Sequence, residues 1–191
     1  MSFIYLVTGG DMGEELTSAV ELSLWQTFGF EIRRKVQLEE PMFAFDKIRK
    51  QYNSIIMMRE LLKQCPSDAV KMLTITENDI FIPMLSFIFG HAQLNGRVAL
   101  VSTARLRQEF YRLPANRTLL MARTIKESIH EIGHTFGLIH CMNKTCPMSL
   151  STTIQQVDTK TDELCDNCSV VVADHIHTLR NQSVLSSKCG E

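Results

Sequence analysis

The sequence predicts an α+β fold. A twisted mixed β-sheet with its helices forms an upper subdomain, and a small, irregular and partly helical lower subdomain follows residue 137. Three observations lead there. The chain opens on a strand, a tight glycine loop and a helix; an Asn-Gly pair separates two β-prone runs near its middle; and a long capped helix stops at Gly137, shortly before a group of cysteines. At 191 residues the chain can bury one good core, so a single domain is expected over 1–191, with subdomains 1–137 and 138–191.

The elements follow in order. Ser2 to Thr8 is an apolar, β-rich run, and Gly9, Gly10 and Asp11 turn the chain into a helix-like stretch from Met12 to Phe28 that Gly29 closes. The segment TGGDMG lacks the glycine spacing needed to cradle a pyrophosphate, so it reads as a connecting loop. FEIRRKVQL, from Phe30 to Leu38, alternates as a strand does. Asp46 to Lys63 reads as one helix with a broad apolar face through Ile48, Tyr52, Ile55, Ile56, Met58, Leu61 and Leu62. LTIT and IFIP are β-prone, with a bend at Glu77, Asn78 and Asp79. Asn95-Gly96 is a hairpin signal, which puts an antiparallel pair in the sheet. Asn116 can cap a helix from Arg117 to about Phe136, whose Ile125, Ile129, Ile132 and Phe136 form one stripe. A last helix is expected over Cys168 to Leu179.

Composition narrows the function. A formal charge of -1 and 21% charged residues call for neither nucleic acid nor an anionic membrane as partner. The start has no basic region before a long apolar core, and IFIPMLSFIFG is too short and too broken by Pro83 to span a bilayer. A cytoplasmic location is therefore expected. In a reducing compartment clustered cysteines more often bind metal than pair; Cys65 and Cys189 stand apart and read as spare thiols.

The chemistry lies in HEIGHTFGLIHCMNKTCPM, His130 to Met148. Four residues apart on a helix, His130 and His134 project from one face and can share an ion. Glu131 lies beside them, where a carboxylate can take a proton from a metal-activated water, so it is the candidate general base. Gly137 lets the chain leave the helix at positive φ and bring in His140. Three neutral imidazoles leave one corner of a tetrahedron open, which is the catalytic arrangement for zinc. Cys141, Cys146, Cys165 and Cys168 have the spacing of two thiolate pairs and suit a second, closed zinc site whose role is structural.

H-E-x-x-H-x-x-G-x-x-H followed by Met148 resembles the metzincin signature, and the added cysteines make the chain resemble the archaemetzincins. The resemblance is strongest from His130 to Cys168 and weaker over LSFIFGHAQLNGRVALVST. It implies a metzincin-like fold, catalytic zinc on His130, His134 and His140, Glu131 as base, Met148 as an apolar floor under the histidines, and structural zinc on Cys141, Cys146, Cys165 and Cys168. It also implies an edge strand that receives extended substrate above the cleft. The chain departs from several metzincin groups in having no tyrosine shortly after Met148, where it reads SLSTTIQQ. Tyr5, Tyr52 and Tyr111 are not placed near the site by any sequence argument, and His91, His175 and His177 have no ligand spacing.

The resulting expectation is a zinc metallopeptidase with two Zn2+ ions, acting as a monomer on peptide or protein substrates. Whether it would cut internally or from the amino end stays open. The alternative is a zinc-dependent recognition or regulatory protein that binds peptides without cutting them. A nucleic-acid-binding cysteine module is disfavoured, because Lys144 and Lys160 stand among Asp158, Asp162, Glu163 and Asp166.

Overall fold

The computed structural model describes residues 3–9, 12–37 and 39–188. The expected strand ends at Ser2 and Leu38, and the thiol of Cys189, lie outside them. Five strands form the main sheet: β1 (Phe3–Gly9), β2 (Glu31–Gln37), β5 (Ala69–Thr76), β7 (Gly90–Ala92) and β8 (Val98–Ser102). Their order is β2-β1-β5-β8-β7; β7 pairs antiparallel with β8 and the other pairings are parallel. The sheet is mixed, and the antiparallel pair turns through Asn95, whose φ of 55° supplies the left-handed residue that a tight hairpin demands.

Helix α1 (Glu14–Phe28) ends at Gly29, whose φ of 67° lets its N–H reach back to Trp25. It packs with α3 (Arg117–Thr135) on one face of the sheet, around Leu6, Leu73, Ile75 and Val101. Asn116 caps α3 through Oδ1, which accepts from the Leu119 N–H, and Ile129, Ile132 and Phe136 of the expected stripe are fully buried. Helix α2 (Ser54–Gln64) covers the opposite face through Met57, Met58 and Leu61.

The helix expected over 46–63 begins only at Ser54. The Asp46 carboxylate accepts from the Ile48 and Arg49 N–H groups, Lys50 takes φ 55°, and Asn53 accepts from Ile55 and Ile56. These side chains offer the backbone a turn and a late cap that outcompete helix. The freed segment forms β3 (Phe45–Asp46) and β4 (Gln51–Asn53), which join β6 (Ile80–Phe81) in a small second sheet. Ile48 is left 96% exposed, so the broad apolar face does not exist as such.

After α3 come α4 (Ile154–Thr159) and α5 (Asp166–Lys188). Thr153 and Gln156 form a reciprocal capping box on α4, a local signal that was there to be read in the sequence. Helix α5 starts two residues earlier than expected and runs further; Val172 and Ile176 are buried, while Leu179 is 36% exposed. Among the described residues no helix is long and apolar enough to cross a membrane.

Candidate metal centre

Helix α3 delivers the first two histidines, and its end is held from three directions. The Lys71 ammonium, reaching up from β5, donates to the Thr135 carbonyl at 2.6 Å and to the Gly96 carbonyl at 2.7 Å. A cation at the last carbonyls complements the helix dipole. The Asn95 N–H at the hairpin tip donates to the His134 carbonyl at 3.0 Å. Gly137 then leaves the helix at φ 88°, and a Cβ there would lie 2.3 Å from Asn95 Oδ1 and 2.5 Å from the His175 ring. Glycine is needed twice over at that bend, for its φ and for its size.

The rings are oriented by main-chain carbonyls. His130 Nδ1 donates to the Pro147 carbonyl at 2.8 Å and His134 Nδ1 to the Leu138 carbonyl at 2.6 Å. A carbonyl can only accept, so each Nδ1 carries its proton and each Nε2 presents a lone pair. The two Nε2 atoms stand 3.1 Å apart, and one ligand atom from each of His130, His134 and His140 lies within 4.8 Å of the others. Two nitrogens about 2.0–2.1 Å from a shared tetrahedral zinc would be about 3.3 Å apart. Burial pushes all three imidazoles below their ordinary pKa, His130 most strongly, and the buried Lys160 ammonium acts in the same direction. Neutral imidazole is the form that binds metal. The donor set and its spacing fit a catalytic zinc.

Met148 is wholly buried beneath α3, and Gly133 makes that possible: a Cβ at Gly133 would meet Met148 Sδ at 2.5 Å. The methionine thus packs against the turn that carries both histidines. Its carbonyl accepts from the Cys141 N–H at 2.9 Å.

The four cysteines also converge. Cys141 and Cys165 Sγ are 3.7 Å apart, Cys146 and Cys168 Sγ 3.8 Å, and all four lie within 4.8 Å of one another. Thiolates about 2.3 Å from one zinc would be separated by about 3.8 Å at the tetrahedral angle, so this set fits a closed site. Backbone N–H donation from Cys168 lowers the Cys165 thiol, while burial raises Cys146 and Cys168.

The histidines open on a cavity of about 390 Å³ between β7 and the segment after Met148. Glu131 lines it, 5% exposed, its carboxyl raised well above the ordinary range by burial first and by the neighbouring Glu127 second. A larger groove of about 820 Å³ lies between α1 and α5, but neither donor cluster lines it, so chemistry and size disagree and the chemistry decides.

Sequence reasoning missed three neighbours. Glu127 lines the same cavity and pairs with Lys160 at 3.2 Å, both side chains being almost fully buried. Glu127 stands four residues before Glu131, so helical spacing alone could have flagged it; nothing local ties Lys160 to it. Gly90 packs directly on Glu131. His91 also lines the cavity, but its Nδ1 contacts Ser54 Oγ of α2 at 2.9 Å and it does not join the histidine cluster. His175 lies against Gly137 and His177 beside Asn181. Tyr5, Tyr52 and Tyr111 bond Asp68, Glu40 and the Arg105 carbonyl, away from the cavity lining.

Three converging imidazoles with a glutamate between them, a methionine floor and an adjacent strand edge define a metallopeptidase of metzincin type. The family model described as Peptidase family M54 matches residues 34–173, and the chain belongs to that family, the archaemetzincins. The archaemetzincin of Methanocaldococcus jannaschii is 43% identical over 160 residues, which is 83% of this chain and 86% of that protein. Among solved structures, a zinc-dependent peptidase from Methanocorpusculum labreanum superposes with a TM-score of 0.82 at 29% identity, covering 88% of this chain and 99% of the other. The archaemetzincin of Methanopyrus kandleri gives 0.80 at 31%, covering 92% and 96%.

Proposed function

We propose that this metallopeptidase hydrolyses peptide bonds at a zinc held by His130, His134 and His140, with Glu131 as general base. The observation that carries the reading is the convergence of one ring nitrogen from each of three histidines beside a buried carboxylate in one cavity. When bound, zinc supplies Lewis acidity toward the scissile carbonyl and the nucleophilic water. Everything else falls to the chain. The raised affinity of the Glu131 carboxylate for a proton suits it to take one from the attacking water and to return it to the leaving amine. The Pro147 and Leu138 carbonyls keep the imidazoles in the one tautomer that directs Nε2 into the site. Phe87, Phe89 and Leu150 on the walls limit water around the reacting groups.

In this reading Cys141, Cys146, Cys165 and Cys168 hold a second zinc that fixes the loop between His140 and Met148. The chain works as one unit, residues 1–137 carrying the sheet and active-site helix and 138–191 the methionine turn and cysteine site. It acts as a monomer on peptide or protein, with no nucleic-acid or membrane partner.

The test is peptide-library cleavage by zinc-loaded protein beside Glu131→Gln, with metal counted in both. Expected is a loss of about 10²–10⁴ in kcat at unchanged zinc content. Equal cleavage by the two, or none by either, favours a protein that binds peptides without cutting them.

A further inference from the structure

Among the described residues no hydrogen bond holds the Glu131 carboxylate, although the side chain is buried and its neighbours are charged. Its side chain packs against Gly90 of β7. An ideal Cβ added to Gly90 would lie 2.4 Å from Glu131 Oε1, 2.5 Å from Cγ and 2.6 Å from Cδ. No carbon approaches another group so closely without moving it. Gly90 takes no positive φ, so the strand has no conformational need of glycine there; the need is space.

The register of β7 adds a second point. Phe89 accepts from the Ser102 N–H, and the Gln93 N–H donates to Val98, so odd-numbered residues of this ladder bond to β8. In an antiparallel pair the alternate residues face the other way, which turns the main-chain groups of Gly90 and Ala92 toward the open edge. Ile88, the next even residue, is already taken, because its N–H donates to the Ile80 carbonyl of β6. Gly90 is therefore the first open pairing position beyond that bridge. Its main chain meets the cleft edge, and the place where its side chain would be is filled by Glu131.

We propose that Gly90 is a positioning residue: its missing side chain seats the Glu131 carboxylate against the strand edge, so that a peptide paired at Gly90 presents its scissile group to that carboxylate. The inference rests on the reading of Glu131 as base. Alanine at this position has to displace the Glu131 side chain from its seat, Cγ as well as the carboxylate.

The experiment compares Gly90→Ala with wild type as zinc-loaded full chain. In crystals of the variant, Glu131 Oε1 is displaced by about 1 Å or more. In turnover kcat falls about 10²-fold with KM and both metal contents unchanged, since an ångström of misplacement costs on that order. A variant crystal with the carboxylate in its original place overturns the proposal, and so does an unchanged kcat. If wild type itself cleaves nothing, the peptidase reading fails by itself and the crystal still decides for or against Gly90. Should Gly90→Ala fold poorly, the same substitution in a Glu131→Ala background restores the melting temperature to within about 2 °C. A double variant that stays unfolded overturns the proposal as well.

Discussion

His140 and Cys141 are neighbours in the chain, yet the two donor clusters they belong to are built in opposite ways. The histidines are drawn from one helix and the turn after it, His130 and His134 are aimed by main-chain carbonyls, and all three face a cavity. The cysteines come from two loops and the start of α5, and they do not line that cavity. In the proposed reading one cluster is preorganised by the fold around it, and the other would be the means by which its loops acquire a fold. The same ion would then be a reagent at the first and a fold-forming staple at the second.

That contrast is broken or confirmed most forcefully by removing one ligand from each side. Structural zinc contributes about 10 kcal/mol or more to small metal-organised folds, as much as a whole domain's net stability. Cys168→Ser should abolish the ordered loop, and with it the Pro147 carbonyl that orients His130 and the Cys141–Met148 bond. We expect elemental analysis to find close to no zinc in that variant and calorimetry to find its main transition broadened. His140 is exposed, and His140→Ala should keep close to one equivalent and a sharp transition. A Cys168→Ser protein that still holds a full equivalent on its histidines would show the two clusters to be independent.

A second difference lies behind the sites. The histidine cluster has a buried ion pair at its back, Glu127 with Lys160, at side-chain exposures of 4% and 0%. Breaking such a pair leaves one uncompensated buried charge and costs about 3–5 kcal/mol, whereas replacing both partners by apolar groups is often close to neutral. Lys160→Met alone should therefore lower the urea midpoint strongly, and Glu127→Leu with Lys160→Met should recover most of it. If the double variant is as unstable as the single one, Lys160 holds the chain by packing and not by charge.

The same local-versus-distant division explains what the sequence disclosed. Helix α3, its Asn116 cap, Gly137 and the hairpin at Asn95 were legible because each is written within a few consecutive residues, and the seven candidate metal-binding side chains lie in the two groups that their spacing suggested. The 46–63 segment misled because its apolar residues keep a helical period while Asp46 and Asn53, through side-chain hydrogen bonds, divert the backbone. Glu127 with Lys160, 33 residues apart, and Gly90 with Glu131, 41 apart, carry no local mark at all. Their meaning depends on which strand ends beside which helix, which is a property of the packed sheet.

The smallest effect falls on Lys71, which braces the end of α3 and so serves the histidine side alone. Burial lowers its ammonium from 10.5 to about 8. Below pH 8 the group is charged in the folded and unfolded chain alike, and the cost of burying that charge is fully present. Between pH 8 and 10.5 the folded protein has released the proton while the unfolded chain keeps it, so the unfolded state binds more protons and stability rises with pH. Lys71→Met has no such proton to lose. The stability of wild type relative to this variant should therefore climb across that window, on the order of 1 kcal/mol after allowance for partial solvent access. Urea melts of zinc-loaded protein from pH 7.5 to 10.5 read it directly, and a flat or falling difference would mean that the two carbonyls on Nζ stabilise the ammonium enough to cancel its burial.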